Sequence, residues 1–288
     1  MSFLRAGSPN IVRSPPAVTW FGVSAVFHYL GPSFAVLLFP AVGVLGVAWL
    51  RIGSAALFFL PWTRPWRTFS EADARTRLLL VALGVCLAMM NTSFYLALER
   101  LPIGLVAAIE FVGTIGVALY GVRTLRNGLA LLMAVVGVLL LIDPNWSSDV
   151  IGLAWAASNG ALFVCYILIG HRISEAGAAK GIERLGAAMA IAFLCVLPIG
   201  FSSVVMTLDR PQLLAAGLGV GVCSSVIPYV CDQLAMSRLS RSAFALLLAL
   251  LPAVATLTGA LVLAQIPGPV DILGVALVMI GVATRRQA

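Results

Sequence analysis

The sequence predicts an all-α polytopic membrane protein, and two observations carry that prediction. Of the 288 residues, 61% are hydrophobic and only 10% are charged, whereas a soluble domain carries roughly 25% charged residues. Apolar stretches of about 20 residues, long enough to cross a hydrocarbon core of about 30 Å, recur from residue 17 to residue 284. With a mean hydropathy of +1.06, the chain has too few charges to cover a water-facing surface.

Ten apolar stretches, separated by breaks that contain Pro, Gly, Asn, Asp or Arg, predict ten transmembrane helices. The first stretch runs from Ala17 to Phe39. It exceeds the roughly 7–15 residues of a signal-peptide core and no small-x-small cleavage site follows it, so we expect a retained helix. The predicted limits are 17–39, 42–62, 77–98, 102–121, 127–143, 150–170, 184–205, 212–236, 242–265 and 269–284.

The basic residues predict the orientation of these helices. With ten spans, fifteen of the 18 Lys and Arg residues share the side of the N-terminus, Arg100 and Arg210 lie on the other side, and Arg51 lies within a span. The positive-inside rule then predicts a plasma (inner) membrane protein in which both terminal segments, 1–16 and 285–288, are cytoplasmic. The net charge of +7 is explained by anionic lipid, so we expect no nucleic-acid partner.

Two joints between predicted spans share a pattern. The runs "NTSFYLALERLPIGLVAAIEFVGTIGVAL" and "IPYVCDQLAMSRLSRSAFALLLALLPAVATL" each pass from aromatic and small residues through Arg-Leu into an apolar helix. Either the chain repeats internally, or the likeness is one that any two membrane helices share. A true repeat divides the chain into 17–146 and 147–284, with five helices each. An odd number of spans turns the second half upside down, and such inverted repeats are typical of transporters with a midplane substrate site.

Three segments resemble a known family. They are "GVCLAMMNTSFYLALERLPIGLVAAIEF", "GLGVGVCSSVIPYVCDQLAMSRL" and "AWLRIGSAALFFLPWTRPWR", and together they are similar to the threonine/homoserine exporters. These exporters belong to the drug/metabolite transporter superfamily, whose repeat unit is the EamA domain. The resemblance runs from about residue 40 to residue 283. It implies ten helices in two inverted EamA repeats and the export of small amino acids in exchange for protons.

The sequence departs from this family at one position of the ninth span. Family members commonly carry a Glu-Pro pair there, and this chain carries Leu251-Pro252. The second half has therefore lost its carboxylate, and Glu110 has no pseudo-symmetric counterpart. A mechanism with two equivalent carboxylates is disfavoured.

Three charged residues lie inside predicted spans, at least four residues from either end: Arg51, Glu110 and Asp232. Each costs at least about 2.5–3.5 kcal/mol at the bilayer centre, so each is expected to face a partner or a wet cavity. Arg51 is nine residues from Val42 and Glu110 is eight from Pro102, which at 1.5 Å per residue places them at similar depth. Either the two form a structural ion pair, or Glu110 faces a central cavity and binds a substrate ammonium group or a coupling proton. The two alternatives are compatible.

Asp232 and His28 each allow a structural and a functional interpretation. Asp232 lies about four residues from the cytoplasmic end of its span. It is either an end residue near Arg238 and Arg241 or a carboxylate that gates the cytoplasmic mouth. His28, near the middle of the first span, forms either an interhelical hydrogen bond or part of a proton relay.

Uncharged polar residues in the spans form a further candidate group. Asn91 and Tyr95 are four residues apart, Asn159 and Tyr166 are seven apart, and each pair therefore shares a helix face. They either line a polar substrate pocket or make interhelical hydrogen bonds, which contribute about 0.6 kcal/mol on average in membranes. Together with Glu110 and His28, the candidate lining residues are Asn91, Tyr95, Asn159, Tyr166 and Tyr229.

Enzyme and cofactor signals are absent from the sequence. It contains no HExxH, GxSxG or P-loop motif, and its five cysteines form no CxxC pair. We therefore expect no enzyme, no cofactor and no metal, but a secondary transporter whose partners are a small amino acid or related metabolite, protons and membrane lipid. One alternative is a carrier of another metabolite or drug; phosphosugars or nucleotide sugars are disfavoured because Arg51 is the single cation in the interior of the predicted spans, away from their end residues. A second is a non-transporting scaffold with a structural Arg51–Glu110 pair.

Overall fold

The computed structural model describes residues 16–121, 124–141, 149–239, 244 and 247–284, and within these ranges every regular element is a helix. A π turn (Val222–Val226) and a 3-10 turn (Leu248–Leu250) interrupt the helices of the second half. The predicted all-α class is confirmed. The helices are α1 (Ala17–Val42), α2 (Val44–Thr63), α3 (Pro65–Glu71), α4 (Ala74–Leu98), α5 (Ile103–Gly121), α6 (Leu125–Leu141), α7 (Val150–Ser174), α8 (Ala178–Val205), α9 (Pro211–Gly221), α10 (Ile227–Met236), α11 (Leu251–Leu263) and α12 (Pro269–Thr284).

Six segments of the described chain are long and apolar enough to cross a membrane. Four shorter apolar helices, α5, α6, α11 and α12, accompany them. This composition confirms an integral, polytopic membrane protein. The six long segments are α1, α2, α4, α7, α8 and the continuous stretch Pro211–Met236 that contains α9 and α10.

Several helices extend beyond the limits predicted from hydropathy. Helix α8 begins at Ala178, six residues before its predicted start, and α3 occupies a stretch predicted as a break. Arg64 takes the left-handed conformation (φ 45°) between α2 and α3, and Pro65 begins α3, where the missing proline N–H has no partner to lose. Gly43, with φ 76°, separates α1 from α2. Hydropathy locates only the apolar part of a helix, whereas the backbone hydrogen bonds continue into the polar end turns.

The eighth predicted span is one continuous helical stretch with a π turn before Pro228. In the ninth, the 3-10 turn precedes Pro252, which lies in the first turn of α11; residues 242–243 and 245–246 of that span lie outside the described residues. Proline lacks a backbone donor, so each irregular turn lies where the regular hydrogen-bond ladder is broken. By contrast, α8 continues through Pro198.

The helices pack in a regular pattern of neighbours. Helix α2 packs against α8, and α6 packs against α12. Helix α7 lies against α4 and α5, while α1 lies against α9–α10 and α11. Consequently α1 and α7 place their inner faces next to the polar residues of α4, α5 and α10, in the interior of the bundle.

Candidate functional site

Glu110 lies in the interior of the bundle and does not face lipid. It belongs to α5 and is 2% exposed. Tyr29 Oη of α1 donates a long hydrogen bond of 3.5 Å to Oε2. On α7, Asn159 lies beside the carboxyl group, although its Nδ2 makes no hydrogen bond of good geometry with the described residues. The approach of α7 depends on Gly160, because a Cβ there would lie 3.1 Å from Glu110 Cα. A carboxylate can accept about four hydrogen bonds, so Glu110 keeps capacity for a ligand.

Arg51 on α2 is also 2% exposed, and it is bound to the π turn between α9 and α10. Nε donates to Ser225 Oγ at 2.9 Å, and Nη2 donates to the carbonyl oxygen of Ser224 at 2.8 Å. Pro228, four residues after Ser224, has no N–H to offer that carbonyl, so Arg51 supplies the missing donor. The guanidinium lies over the ring of Tyr95, with Cζ 5.1 Å from the ring centroid, in the geometry of a cation–π contact.

The expectation of a direct Arg51–Glu110 ion pair is corrected by this arrangement. The two side chains form no ion pair or hydrogen bond, although both residues are described. The reason is packing: α2 lies against α8 and α9, whereas α5 lies against α6 and α7. Equal depth in the membrane does not decide which helices are neighbours.

Asn91 and Tyr95 both point into the interior from α4. Tyr229 Oη of α10 donates to Asn91 Oδ1 at 3.2 Å, and Asn91 Nδ2 donates to the carbonyl of Leu87 at 2.7 Å. The Tyr95 side chain is fully buried, and its hydroxyl makes no hydrogen bond of good geometry within the described chain. Asn91 is therefore partly satisfied, while Tyr95 has a free donor.

Asp232 on α10 is enclosed between α1 and α7. Ser24 Oγ donates to Oδ1 at 2.5 Å and Tyr166 Oη donates to Oδ2 at 3.0 Å. The interpretation of Asp232 as an end residue near Arg238 is therefore corrected; the other proposed neighbour, Arg241, lies outside the described residues. A π turn shifts the phase of the helix that follows it, which changes the face of α10 that points inward.

His28 joins the surroundings of Glu110 to those of Asp232 through aromatic contacts. The centroid of its ring lies 5.2 Å from that of Tyr29 and 6.2 Å from that of Phe163, and both contacts are edge-on. Phe163 stacks on Tyr166 with their ring centroids 6.0 Å apart, and the ring centroids of Tyr166 and Tyr229 are 5.5 Å apart. All of the candidate residues thus belong to one buried region of α1, α2, α4, α5, α7 and α10.

Four residues of this region were missed by the sequence reasoning: Ser24, Tyr29, Ser224 and Ser225. The run "CSSVIP" did contain a signal, because a proline in a helix frees the carbonyl four residues before it. Ser24 lies four residues before the candidate His28, and this spacing placed both on one face of α1; Tyr29 gave no comparable signal.

Neither the described cavities nor the described metal-ligating side chains indicate a second functional site. A polar cavity of about 720 Å³ lies at helix ends, where Arg64, Glu71, Asp73 and Lys180 contribute to its lining. These side chains are exposed or half-buried, so the cavity is a surface feature. The described ranges hold no cluster of His, Cys, Asp and Glu that could bind a metal ion.

Apolar helices that enclose ionisable groups in their interior are typical of membrane transporters, and comparisons with known proteins identify that class. A family model described as EamA-like transporter family matches residues 150–284. Threonine/homoserine exporter RhtA of Escherichia coli strain K12 is 32% identical over 252 residues, covering 86% of this chain and 84% of that protein. The exporter of the same name from Salmonella typhimurium strain LT2 is 33% identical over the same shares.

The chain belongs to the EamA family of the drug/metabolite transporter superfamily, as its sequence predicted, and it is a transporter rather than an enzyme. An uncharacterized transporter, YwfM of Bacillus subtilis strain 168, is 24% identical over 286 residues, with 94% of this chain and 93% of that protein covered. A solved crystal structure matches with a TM-score of 0.58 at 17% identity, over 93% of this chain and 96% of that one. That last likeness concerns the fold alone.

Proposed function

We propose that this protein exports small amino acids such as threonine and homoserine, or closely related metabolites, across the plasma membrane in exchange for protons. The observation that carries the proposal is a buried carboxyl group, Glu110, in a chain whose relatives are named as threonine/homoserine exporters. An amino acid presents an ammonium group, and a carboxylate is the side chain that binds one by charge and hydrogen bonds.

The same residue supports a mechanism of exchange. If Glu110 binds either a proton or the substrate ammonium group, but not both, then release of one is required for binding of the other. Each time the site changes the side of the membrane to which it is open, it carries either a proton or an amino acid, and this couples the two flows. Tyr29, whose hydroxyl reaches Oε2 at 3.5 Å, positions the carboxyl in the state seen here. We assign Asn91, Asn159, Tyr166, Tyr229 and His28 to the lining of the site.

We further propose that the chain consists of two inverted five-helix repeats, 17–146 and 147–284, with 1–16 and 285–288 in the cytoplasm. The neighbour pattern supports this division. Helices α1 and α7 take equivalent places in the two proposed halves. The contacts of α1 with α9–α10 and α11 correspond to the contacts of α7 with α4 and α5. The pairs α2–α8 and α6–α12 each join two equivalent helices. The family model, which matches 150–284, then corresponds to the second repeat. The distribution of Lys and Arg supports the cytoplasmic termini.

Asp232 supports a role on the cytoplasmic side of this site. With cytoplasmic termini, α10 ends at the cytoplasmic face, so Asp232 lies between that face and the level of Glu110. Ser24 and Tyr166 tie it to α1 and α7, which are equivalent helices of the proposed halves. The bond from Ser24 joins the two halves, whereas that from Tyr166 lies within the second half. A change in the angle between the halves would break the bond from Ser24, so we assign Asp232 to the cytoplasmic gate.

Transport by purified protein in liposomes tests the proposal. With threonine inside the vesicles and an acidic medium outside, we expect the wild-type protein to release threonine faster than without the pH gradient. Glu110→Gln removes the charge and keeps the size, and we expect it to abolish the pH-driven component. Glu99→Gln, at an exposed position near the end of α4, is the matched control and should transport normally.

Three outcomes of this transport assay would contradict the proposal. A folded Glu110→Gln protein that keeps the wild-type response to the pH gradient would remove Glu110 from the coupling mechanism. Absence of flux for every amino acid tested, alongside flux of another solute class, would assign the protein to a different branch of carriers. Absence of any flux from correctly inserted protein, for every solute class tested, would contradict a transport function.

A further inference from the structure

Among the residues that the structure describes, Arg51 is a buried cation without a counter-ion. Its side chain contacts Ser224, Ser225 and the ring of Tyr95, all of them uncharged. Of the 11 acidic residues, none forms an ion pair with Arg51 within the described chain. A guanidinium stays charged in proteins, and a buried charge without a partner strongly disfavours the structure that contains it. A negatively charged ligand would supply the missing partner.

One edge of the guanidinium is available for such a ligand. Nε and Nη2 are engaged by the π turn, and one face is covered by Tyr95. Nη1 is buried and makes no hydrogen bond with any described residue. The Tyr95 hydroxyl, which lies near Arg51 and Ser224, is likewise a buried group without a hydrogen bond of good geometry. Buried polar groups in folded proteins are nearly always satisfied, so two neighbouring unsatisfied donors indicate a missing acceptor.

The position of Arg51 is fixed before any ligand arrives. The π turn presents both serine groups to it, and α1 packs tightly on that turn: a Cβ at Gly31 would lie 2.7 Å from Ser224 Cα. Holding two of three guanidinium nitrogens in place reduces the conformational entropy that binding must overcome. The arrangement is therefore a prepared anion site rather than a flexible arginine.

We propose that Arg51 and Tyr95 bind the α-carboxylate of the transported amino acid. The acceptor oxygens of the carboxylate would receive hydrogen bonds from Arg51 Nη1 and Tyr95 Oη. The inference rests on the proposed function, in which Glu110 binds the ammonium group. With a cation on α2 and a carboxyl group on α5, the protein recognises both charged ends of a zwitterion, and its substrates need a free carboxylate as well as a free amine.

A purely structural role for Arg51 makes a different prediction. If Arg51 serves only to satisfy the carbonyl of Ser224, then its replacement weakens the fold but does not change the ratio of the affinities for a carboxylate and its amide. The two roles therefore separate in a measurement of selectivity, which loss of stability alone does not change.

The experiment compares binding of L-threonine, L-threoninamide and N-acetyl-L-threonine to the purified full-length protein by isothermal titration calorimetry. The amide lacks the carboxylate and the acetyl derivative lacks the ammonium charge. Charge-assisted hydrogen bonds are about twice as strong as neutral ones, so we expect L-threonine to bind the wild-type protein at least about tenfold more tightly than L-threoninamide. Arg51→Gln should abolish that ratio. Arg210→Gln, at an exposed position, should retain it.

A second variant keeps the inference testable if Arg51→Gln does not fold. Tyr95→Phe removes the hydroxyl and keeps the ring beneath the guanidinium. We expect its preference for L-threonine over L-threoninamide to fall several-fold. Retention of the full preference in Tyr95→Phe would remove Tyr95 from the carboxylate site.

Two outcomes distinguish failure of this inference from failure of the proposed function. Equal binding of L-threonine and L-threoninamide to the wild-type protein, with threonine still exchanged for protons, would overturn the carboxylate site and leave the exporter function intact. Absence of binding for every amino acid would overturn the proposed function itself, and the carboxylate site with it.

Discussion

Gly31 lies where α1 crosses the π turn that holds Arg51, and we expect Gly31→Ala to damage both the fold and the site. A Cβ at this position would lie 2.7 Å from the Cα and 2.7 Å from the backbone nitrogen of Ser224. Because the obstructing atoms are backbone, no side-chain rotation relieves the clash and the turn itself must move. Overpacking of this kind costs about 1–3 kcal/mol. The higher helix propensity of alanine returns about 1 kcal/mol, which leaves a net loss of up to about 2 kcal/mol in the free energy of unfolding.

Gly22 provides a matched control on the same helix. A Cβ there meets nothing within 4 Å, so Gly22→Ala should be neutral or stabilising by up to about 1 kcal/mol. The assay is reversible unfolding of both variants in mixed micelles, followed by titration with L-threonine. We expect Gly31→Ala to lose both stability and affinity, because displacement of the π turn removes the carbonyl and hydroxyl partners of Arg51. Equal stability and equal affinity in the two variants would refute the reasoning.

Three further perturbations are predicted from the described contacts. Asp232→Ala should lower the free energy of unfolding by about 1–3 kcal/mol in the same assay, because it leaves the buried hydroxyl of Tyr166 without its acceptor, whereas Ser24 Oγ can still donate to the carbonyl oxygen of Pro228 at 3.2 Å; a change below about 1 kcal/mol would contradict this. Hydrogen bonds from Thr76 hold the pKa of Asp73 below its ordinary value of 3.8. Its capping contribution to α4 is therefore present at neutral pH and is lost as the pH falls below about 4, a loss that Asp73→Ser should lack in a pH series of unfolding curves. Arg100→Ala should change the thermal midpoint little, because the Arg100–Asp149 pair, 3.4 Å apart and partly exposed, is worth about 0–1 kcal/mol; a large fall would show that the pair is better shielded from water than its exposure suggests.

Much of the fold could be predicted because a membrane imposes simple rules on sequence. Every backbone polar group in the hydrocarbon must be satisfied within its own segment, so long apolar runs become helices, and the limits of α2 and α12 lie within two residues of those predicted. The end turns, such as α3 and the start of α8, were missed because they lie beyond the apolar runs. The charged residues of the interior could be predicted as well. Glu110, Arg51 and Asp232 were singled out because a charge in a bilayer needs a partner or water. All three are buried.

The partners of these groups could not be predicted. The position of a residue along its helix can be read from the sequence, whereas the identity of the neighbouring helix cannot. Arg51 and Glu110 were predicted to lie at similar depth, yet Arg51 binds the π turn and Glu110 receives a hydrogen bond from Tyr29. Which face of α1 points inward, and hence the roles of Ser24 and Tyr29, depends on how α1 is rotated against α10. That rotation is set by close contacts such as Gly31 on Ser224. The sequence thus determined which residues must be kept away from lipid, and only the packing of the helices decided what each of them binds, because hydrogen bonds and ion pairs depend on distances that hydropathy does not contain.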